Sequence, residues 1–194
     1  MKTDTEVDYG AYFMPQSKSG AGVLKELQPF SVKSIDKEHR RVRALASTGQ
    51  LDRQEEIVLP TAFKRTLKEY LKNPVILAGH AHRLDDGRSP VVGKTVEAWI
   101  DREGLWIVVE FAPTELGAEY WALYENGYQR AFSVGFMGVK WTDEVRDGQH
   151  IRVFTEVELF EISCCAVPCN PGALVKSAAP VKSADRPSFV EQKK

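Results

Sequence analysis

The chain of 194 residues is long enough for one domain with tails, and its 43% hydrophobic and 27% charged residues are typical of a soluble globular protein. Its 26 Lys and Arg residues nearly balance its 27 Asp and Glu residues, which argues against a general nucleic-acid-binding protein. No stretch reaches the ~20 apolar residues of a membrane span. The odd number of cysteines, three, predicts a reducing compartment, and the amino terminus has no apolar run that would predict secretion, so we expect a cytoplasmic protein.

Both ends of the sequence have the composition of segments without a core. Residues 1–28 mix charged, Gly and Ser residues without a sustained period and predict a flexible leader. Residues 176–194 are rich in Ala, Ser, Pro and Lys and predict a disordered tail. The folded domain is therefore expected over residues 29–175.

The first half of this domain is predicted to contain three strands and a helix. Alternating apolar residues predict strands at Phe30–Ile35 and Val42–Ala46, joined as a hairpin or meander. A helix is predicted over Pro60–Lys72, because proline suits the first helical turn and apolar residues recur at helical spacing. Those apolar residues are Phe63, Leu67, Tyr70 and Leu71. The apolar run Val75–Ala78 is predicted to be a short buried strand that ends close to His80.

The second half is predicted to contain four strands and a second helix. The strands are Val91–Ile100, Leu105–Phe111, Gln129–Trp141 and Ile151–Val167. A turn that ends in glycine joins the first two, and a charged loop, Thr142–Gln149, joins the last two. The helix is expected to begin after Thr114 and to end at Asn126-Gly127, with an apolar face of Leu116, Tyr120, Leu123 and Tyr124. These elements predict a mostly antiparallel α+β fold, with a seven- to eight-stranded sheet or barrel-like core and about two helices outside.

Ser133 is one candidate for chemistry. It lies in a strand whose alternate residues Ala131, Ser133 and Gly135 share one face. The residues of the opposite face are larger and face the core: Phe132, Val134 and Phe136. Small side chains around a hydroxyl leave room for the backbone of a substrate. A serine on a tightly packed sheet surface has the same pattern, so the residues alone leave both interpretations open.

His80 and His82 are the next candidates. A histidine at the end of a buried strand, beside a glycine that opens access, can act as a general base. Two histidines two residues apart can also share a strand face and bind zinc, with Asp85 or Asp86 as a third ligand. The third interpretation is one solvent-exposed histidine and one hydrogen-bonded loop histidine, neither with a role in chemistry.

Glu161 interrupts an apolar run that extends from Leu159 to Val167. A carboxylate in such a strand must be paired, because removing it from water is otherwise unfavourable. A histidine would satisfy it, as would an arginine, and exposure at a sheet edge would remove the need. Glu158, on the opposite face of the strand, is the competing acid.

Three cysteines, Cys164, Cys165 and Cys169, suggest a thiol nucleophile or a zinc site at first sight. Their spacing is not that of a usual zinc knuckle, and the first two continue an apolar strand. We therefore predict that the cysteines fill the core.

Taken together, these segments resemble the prohead maturation proteases of tailed bacteriophages over residues 29–175. The resemblance depends on the order and spacing of several short motifs. They are Ala46-Ser47-Thr48, Asp52-Arg53, Ile57-Val58, Pro60–Phe63, Val75–His80, Pro90–Lys94, Asp101–Leu105, Ser133–Phe136, Glu158–Ser163 and Val167–Pro171. Two positions depart from the family pattern: Cys169 replaces a small residue, and Ala81 replaces an acidic or polar one.

The resemblance implies a fold similar to the herpesvirus assembly proteases, with a β-barrel-like core surrounded by helices. It implies Ser133 as nucleophile, His80 as general base and, less directly, Glu161 as the acid that orients the histidine. The loop Pro168–Gly172 is where we expect donors for an oxyanion. We expect neither a cofactor nor a metal.

The resemblance also implies substrates and a setting. These are scaffolding protein or the N-terminal arm of the major capsid protein, cut inside the closed procapsid in the bacterial host, without nucleic acid or membrane as partners. Residues 176–194 are a candidate autocleavage region, and a homodimer is compatible with the family. A protease-like assembly factor without activity is the alternative.

Overall fold

The computed structural model describes residues 35–176, which contain eight strands and two α-helices. The strands are β1 Ile35–Asp36, β2 Arg41–Thr48, β3 Glu56–Val58, β4 Val75–Ala78, β5 Val91–Ile100, β6 Gly104–Phe111, β7 Ala131–Arg146 and β8 Gln149–Cys165. The helices are α1 Leu67–Tyr70 and α2 Glu115–Glu125, with a 3-10 helix at Pro60–Phe63. The predicted leader, nearly all of the predicted first strand and all of the tail after Lys176 lie outside the described residues.

The eight strands form one mixed sheet in the order β1-β2-β6-β5-β4-β8-β3, with β7 also paired to β8. Since β7 pairs along the full length of β8, β3 and β4 take the other edge of β8. These two pairings are parallel and the other five are antiparallel. The prediction of a mostly antiparallel sheet with two helices is therefore confirmed.

The predicted barrel-like core is wrong, because the sheet does not close on itself. Strands β2 and β7 do not pair with each other. The segment after β8 lies between them and makes only single bridges, Ala44 to Val175 and Ala131 to Leu174. Its backbone bonds include Leu45 N to Leu174 O at 3.1 Å. Counting strands in a sequence does not determine which sheet edges meet, and here an irregular segment fills the gap.

The β5–β6 hairpin is confirmed, with the Asp101 carboxylate accepting from Glu103 N at 2.8 Å in its turn. The predicted charged loop Thr142–Gln149 is wrong. Strands β7 and β8 continue through it to a two-residue turn, in which Asp147 and Gly148 both have positive φ (52° and 78°). Such turns match the twist of antiparallel strands, and the exposed strands tolerate charged side chains.

The single helix predicted over Pro60–Lys72 is also wrong. A 3-10 helix ends at Phe63, and Thr66 precedes the one-turn helix α1. The Thr66 hydroxyl donates to Val157 O at 2.8 Å, which ties this break to β8. Phe63, Leu67 and Tyr70 are buried as predicted, but Leu71 is exposed. Apolar spacing predicted the buried face, and it did not predict the interruption.

Helix α2 begins after Thr114, whose hydroxyl accepts from Gly117 N at 3.1 Å, as predicted. Its buried large residues are Trp121 and Tyr124, and Leu123 is exposed, contrary to the prediction. The Tyr124 ring packs 5.0 Å from that of Phe132, and its hydroxyl bonds to Ala131 O. The core thus fixes the first residues of β7, immediately before Ser133. No helix in residues 35–176 is long and apolar enough to cross a membrane.

Candidate active site

The parallel pairing of β4 with β8 positions His80. The register aligns Leu77 with Ser163 and Ala78 with Cys164, and Gly79 N then bonds to Cys164 O at 2.9 Å. The chain turns there through two residues of positive φ, Gly79 (58°) and His80 (62°). A histidine in the left-handed region is uncommon and requires support from its surroundings. The turn brings the imidazole over β8.

The structure brings His80 and Glu161 together. Nδ1 of the imidazole lies 2.6 Å from Oε1 of Glu161. The glutamate side chain is 6% exposed and the histidine 32%. A carboxylate only accepts hydrogen bonds, so the proton of neutral His80 must be on Nδ1, which leaves Nε2 as an acceptor. The buried acid therefore has a histidine partner rather than an arginine, and the competing Glu158 is exposed.

Ser133 lies on β7 directly opposite Ser163 on β8, and is 8% exposed. It lines the same cleft as His80, an open depression of about 910 Å³. In the part of the chain that the structure describes, no hydrogen bond joins the Ser133 hydroxyl to the imidazole. Hydrogen bonds between catalytic groups are often long without substrate and shorten when it binds.

The loop after β8 lies beside Ser133. A small cavity of about 50 Å³ is lined by Ser133, Cys169 and Asn170. Asn170 holds the loop in place, since its amide donates to Thr48 O at 2.8 Å and its carbonyl accepts from the Thr48 hydroxyl at 2.7 Å. Arg53 N also donates to Cys169 O at 3.1 Å. The loop predicted to supply oxyanion donors is thus fixed next to the candidate nucleophile.

Gly135 makes room for the Glu161 carboxylate. The two residues are opposite each other on β7 and β8. A Cβ atom on Gly135 would overlap Oε1 of Glu161 and lie 2.8 Å from its Cδ. From the sequence pattern, the small residues around Ser133 are expected to leave space for a substrate. At Gly135, however, the Glu161 carboxylate occupies that space.

The cysteines are poor nucleophiles in this environment. Cys164 is in the core as predicted, whereas Cys165 and Cys169 are half-buried. Burial raises the pKa of Cys165 to about 12. Burial, and then the nearby Asp52 carboxylate, raise the pKa of Cys169 to about 11. Although Cys169 lines the cleft, its thiol is therefore protonated at neutral pH, and the thiolate is the reactive form.

The zinc alternative finds no ligand set around His82. That histidine is exposed, and Asp86 is paired with Arg88 at 2.5 Å. Across residues 35–176, no group of three or more His, Cys, Asp or Glu side chains is arranged to hold a metal ion.

Sequence reasoning missed Ser163. Its hydroxyl donates to Oε2 of Glu161 at 2.6 Å and accepts from His80 N at 3.0 Å. The signal was present, because Ser163 follows Glu161 by two residues and the same face of a strand repeats every two residues. Only the pairing with β4, however, brings His80 N within reach.

Comparison with known sequences and structures identifies the family. The sequence pattern of the caudovirus prohead serine proteases matches residues 29–186. The chain belongs to this family.

Two relatives of this prohead serine protease family member come from phages. The chain is 34% identical over 147 residues to the prohead protease of Escherichia phage T5, covering 72% of this chain and 65% of that protein. It is 28% identical over 163 residues to the capsid polyprotein of Pseudomonas phage PAJU2, covering 80% of this chain and 22% of that protein. The chain therefore spans slightly less than two thirds of the first relative and about a fifth of the second.

Among solved structures, the capsid assembly protease gp21 of bacteriophage T4 is similar to this chain with a TM-score of 0.49 and 11% sequence identity. The superposition covers 64% of this chain and 82% of the T4 chain.

Proposed function

We propose that this protein is a serine endopeptidase that processes head proteins during phage capsid assembly. Ser133 is the nucleophile, His80 the general base and Glu161 the acid that orients it. The observation that carries the proposal is the His80–Glu161 pair, with Nδ1 and Oε1 2.6 Å apart, at a cleft that Ser133 also lines. Membership in the prohead serine protease family supports the same assignment.

The geometry suits acyl transfer. Because Nδ1 donates to Glu161, Nε2 is free to accept the Ser133 proton as the hydroxyl attacks a peptide carbonyl. The imidazolium formed then donates that proton to the leaving amine. In the second half of the reaction, His80 takes a proton from a water molecule that attacks the acyl-enzyme, and returns it to Ser133 as the acyl group leaves. The carboxylate stabilises the imidazolium while it exists and remains ionised itself.

The negative charge on the attacked carbonyl oxygen needs donors as well. We assign them to backbone N–H groups of the loop Pro168–Gly172, which adjoins Ser133 and is anchored through Asn170. The two prolines of this loop have no N–H, and that of Gly172 already donates to Asn170 Oδ1, so the donors come from the residues between the prolines. A single donor of this kind contributes roughly 3–4 kcal/mol to transition-state stabilisation in known cases. The loop is held by hydrogen bonds to Thr48 and Arg53, so its dipoles need little reorganisation during the reaction.

The substrates that we propose are the major capsid protein, scaffolding protein or both, cut inside the assembling procapsid. The relative described as a capsid polyprotein supports a link to capsid protein. Autocleavage in residues 176–194, a homodimer and a fold related to the herpesvirus assembly proteases belong to the same proposal. They come from the resemblance of the sequence motifs to the prohead maturation proteases.

Labelling with a fluorophosphonate tests the proposed nucleophile. Such a reagent reacts with a serine whose proton a neighbouring base removes, so the wild-type chain should gain one label, located at Ser133 by peptide mass spectrometry. The variants Ser133→Ala and His80→Ala should not be labelled. Cys169→Ser should be labelled like the wild type, since its thiol is protonated. A wild-type chain that stays unlabelled contradicts the proposal and favours a protease-like assembly factor.

The variant Gly135→Ala should lose activity although no reacting group is replaced. The new Cβ displaces the Glu161 carboxylate from His80, and misplacement of about 1 Å can reduce a rate about 100-fold. We therefore expect fluorophosphonate labelling at least about 100-fold slower. Gly148→Ala is the control: its Cβ would meet no atom within 4 Å, and its positive φ gives a stability loss of about 1 kcal/mol at the hairpin tip without a change in labelling. Equal labelling rates for the two variants would contradict the role of Gly135.

A further inference from the structure

Ser163 is the polar residue at the centre of the site that the proposed reaction does not use. It is 0% exposed and lies in the middle of the sheet, between Leu77 of β4 and Ser133 of β7. It does not line the cleft, so a bound peptide would not touch it. The two hydrogen bonds of its hydroxyl go to two of the three residues of the proposed site, Glu161 and His80.

The direction of both bonds is determined by the partners. The Glu161 carboxylate can only accept, and the His80 backbone N–H can only donate. The single Ser163 hydroxyl hydrogen must therefore point to Oε2 of Glu161, and its oxygen must accept from His80 N. The hydroxyl has one orientation that satisfies both partners. It joins the backbone of the base to the side chain of the acid.

This connection supports a strained conformation. His80 has φ of 62°, in the left-handed region that disfavours residues with a Cβ atom. The bond from its N–H to Ser163 is a side-chain anchor for that backbone, next to the Gly79 N bond to Cys164 O. On the other side, the Ser163 hydroxyl fixes Oε2 of Glu161, so that Oε1 is directed at Nδ1 of His80.

We propose that Ser163 is a positioning residue of the proposed protease, which sets the relative placement of His80 and Glu161 through its hydroxyl. The expected effect on kcat rests on the proposed function. The expected effect on the placement of His80 and Glu161 rests on geometry alone. Without the hydroxyl, a buried carboxylate oxygen of Glu161 and the half-buried N–H of His80 lose their partner, and the His80–Glu161 pair loses the contact that aligns it.

The kinetic test is Ser163→Ala in a peptide-cleavage assay. We expect kcat to fall about 10- to 100-fold, the range for a lost hydrogen bond to a charged group, with KM nearly unchanged because Ser163 lies outside the cleft. Ser163→Thr, which keeps the hydroxyl, should recover most of kcat. Thr114→Ala, which removes the cap of α2 at a residue that does not line the cleft, should lower thermal stability without changing kcat. A Ser163→Ala variant within twofold of wild-type kcat would overturn the proposal.

A second measurement needs no cleavage at all. The Nδ1 proton of His80, shared with a carboxylate over 2.6 Å, should give a low-field proton resonance, assigned by its absence in His80→Asn. In Ser163→Ala this resonance should move upfield or disappear, and in Ser163→Thr it should remain. If the alanine variant does not fold, Ser163→Cys carries the same test, since a thiol is a weaker donor.

The two measurements separate the two proposals. An unchanged resonance in a folded Ser163→Ala or Ser163→Cys variant overturns the role of Ser163, whether or not the protein cleaves peptides. A wild-type chain without peptidase activity whose resonance depends on the hydroxyl overturns the proposed function and retains the positioning role.

Discussion

Replacing Ser133 with alanine should stop processing of a co-expressed capsid protein, with a loss of about 10⁶-fold in kcat, as when the nucleophile of a serine protease is removed. The reason is that no covalent acyl-enzyme can form. Folding should be unaffected, because alanine is smaller than serine and the Ser133 hydroxyl makes no hydrogen bond within residues 35–176. Intact mass spectrometry of both proteins gives the readout, and the tail of the variant should also stay uncut.

The matched control is Ser89→Ala, which removes an exposed serine hydroxyl from the loop before β5. It should process the capsid protein like the wild type. Capsid protein shortened at the same site by the Ser133→Ala chain would show that another group, or a host protease, makes the cut. Processing lost equally in both serine variants would point to a general defect in expression or assembly.

Much of this site could be predicted from local sequence, since each strand carries its own signal. The apolar run Val75–Ala78 ends close to His80, and the acid Glu161 interrupts an otherwise apolar strand. Both are properties of a few consecutive residues, for which strand periodicity is informative. That a buried carboxylate needs a partner is equally local, and the structure supplies His80.

What local sequence could not predict depends on contacts between distant residues. The role of Ser163 requires the register that aligns it with Leu77, some 86 residues earlier, and no periodicity contains that register. The open edge between β2 and β7 depends on where residues 173–176 lie after the last long strand. The break in the Pro60–Lys72 helix likewise coincides with a bond from Thr66 to β8. In each case a tertiary contact overrides or completes a local preference.

Replacing Glu161 with glutamine should reduce kcat about 10⁴-fold, the effect of the equivalent change in a serine protease triad. Glutamine keeps the volume of the side chain but lacks the charge that stabilises the imidazolium. Because the Ser163 hydroxyl donates to the Oε2 position, the amide oxygen should take that position and turn its NH₂ group toward His80. Nδ1 must then accept, Nε2 carries the proton, and the base cannot take a proton from Ser133.

The control for this variant is Glu161→Asp, which keeps the charge and withdraws it by about one methylene group. It should retain more activity than glutamine, with a loss of about 100-fold from the longer distance to Nδ1. Fluorophosphonate labelling rates of folded variants, checked by thermal unfolding, measure both. Glutamine and aspartate variants of equal rate would contradict a role for the negative charge of Glu161. A glutamine variant with wild-type rate would remove Glu161 from the mechanism and return the exposed Glu158 to consideration.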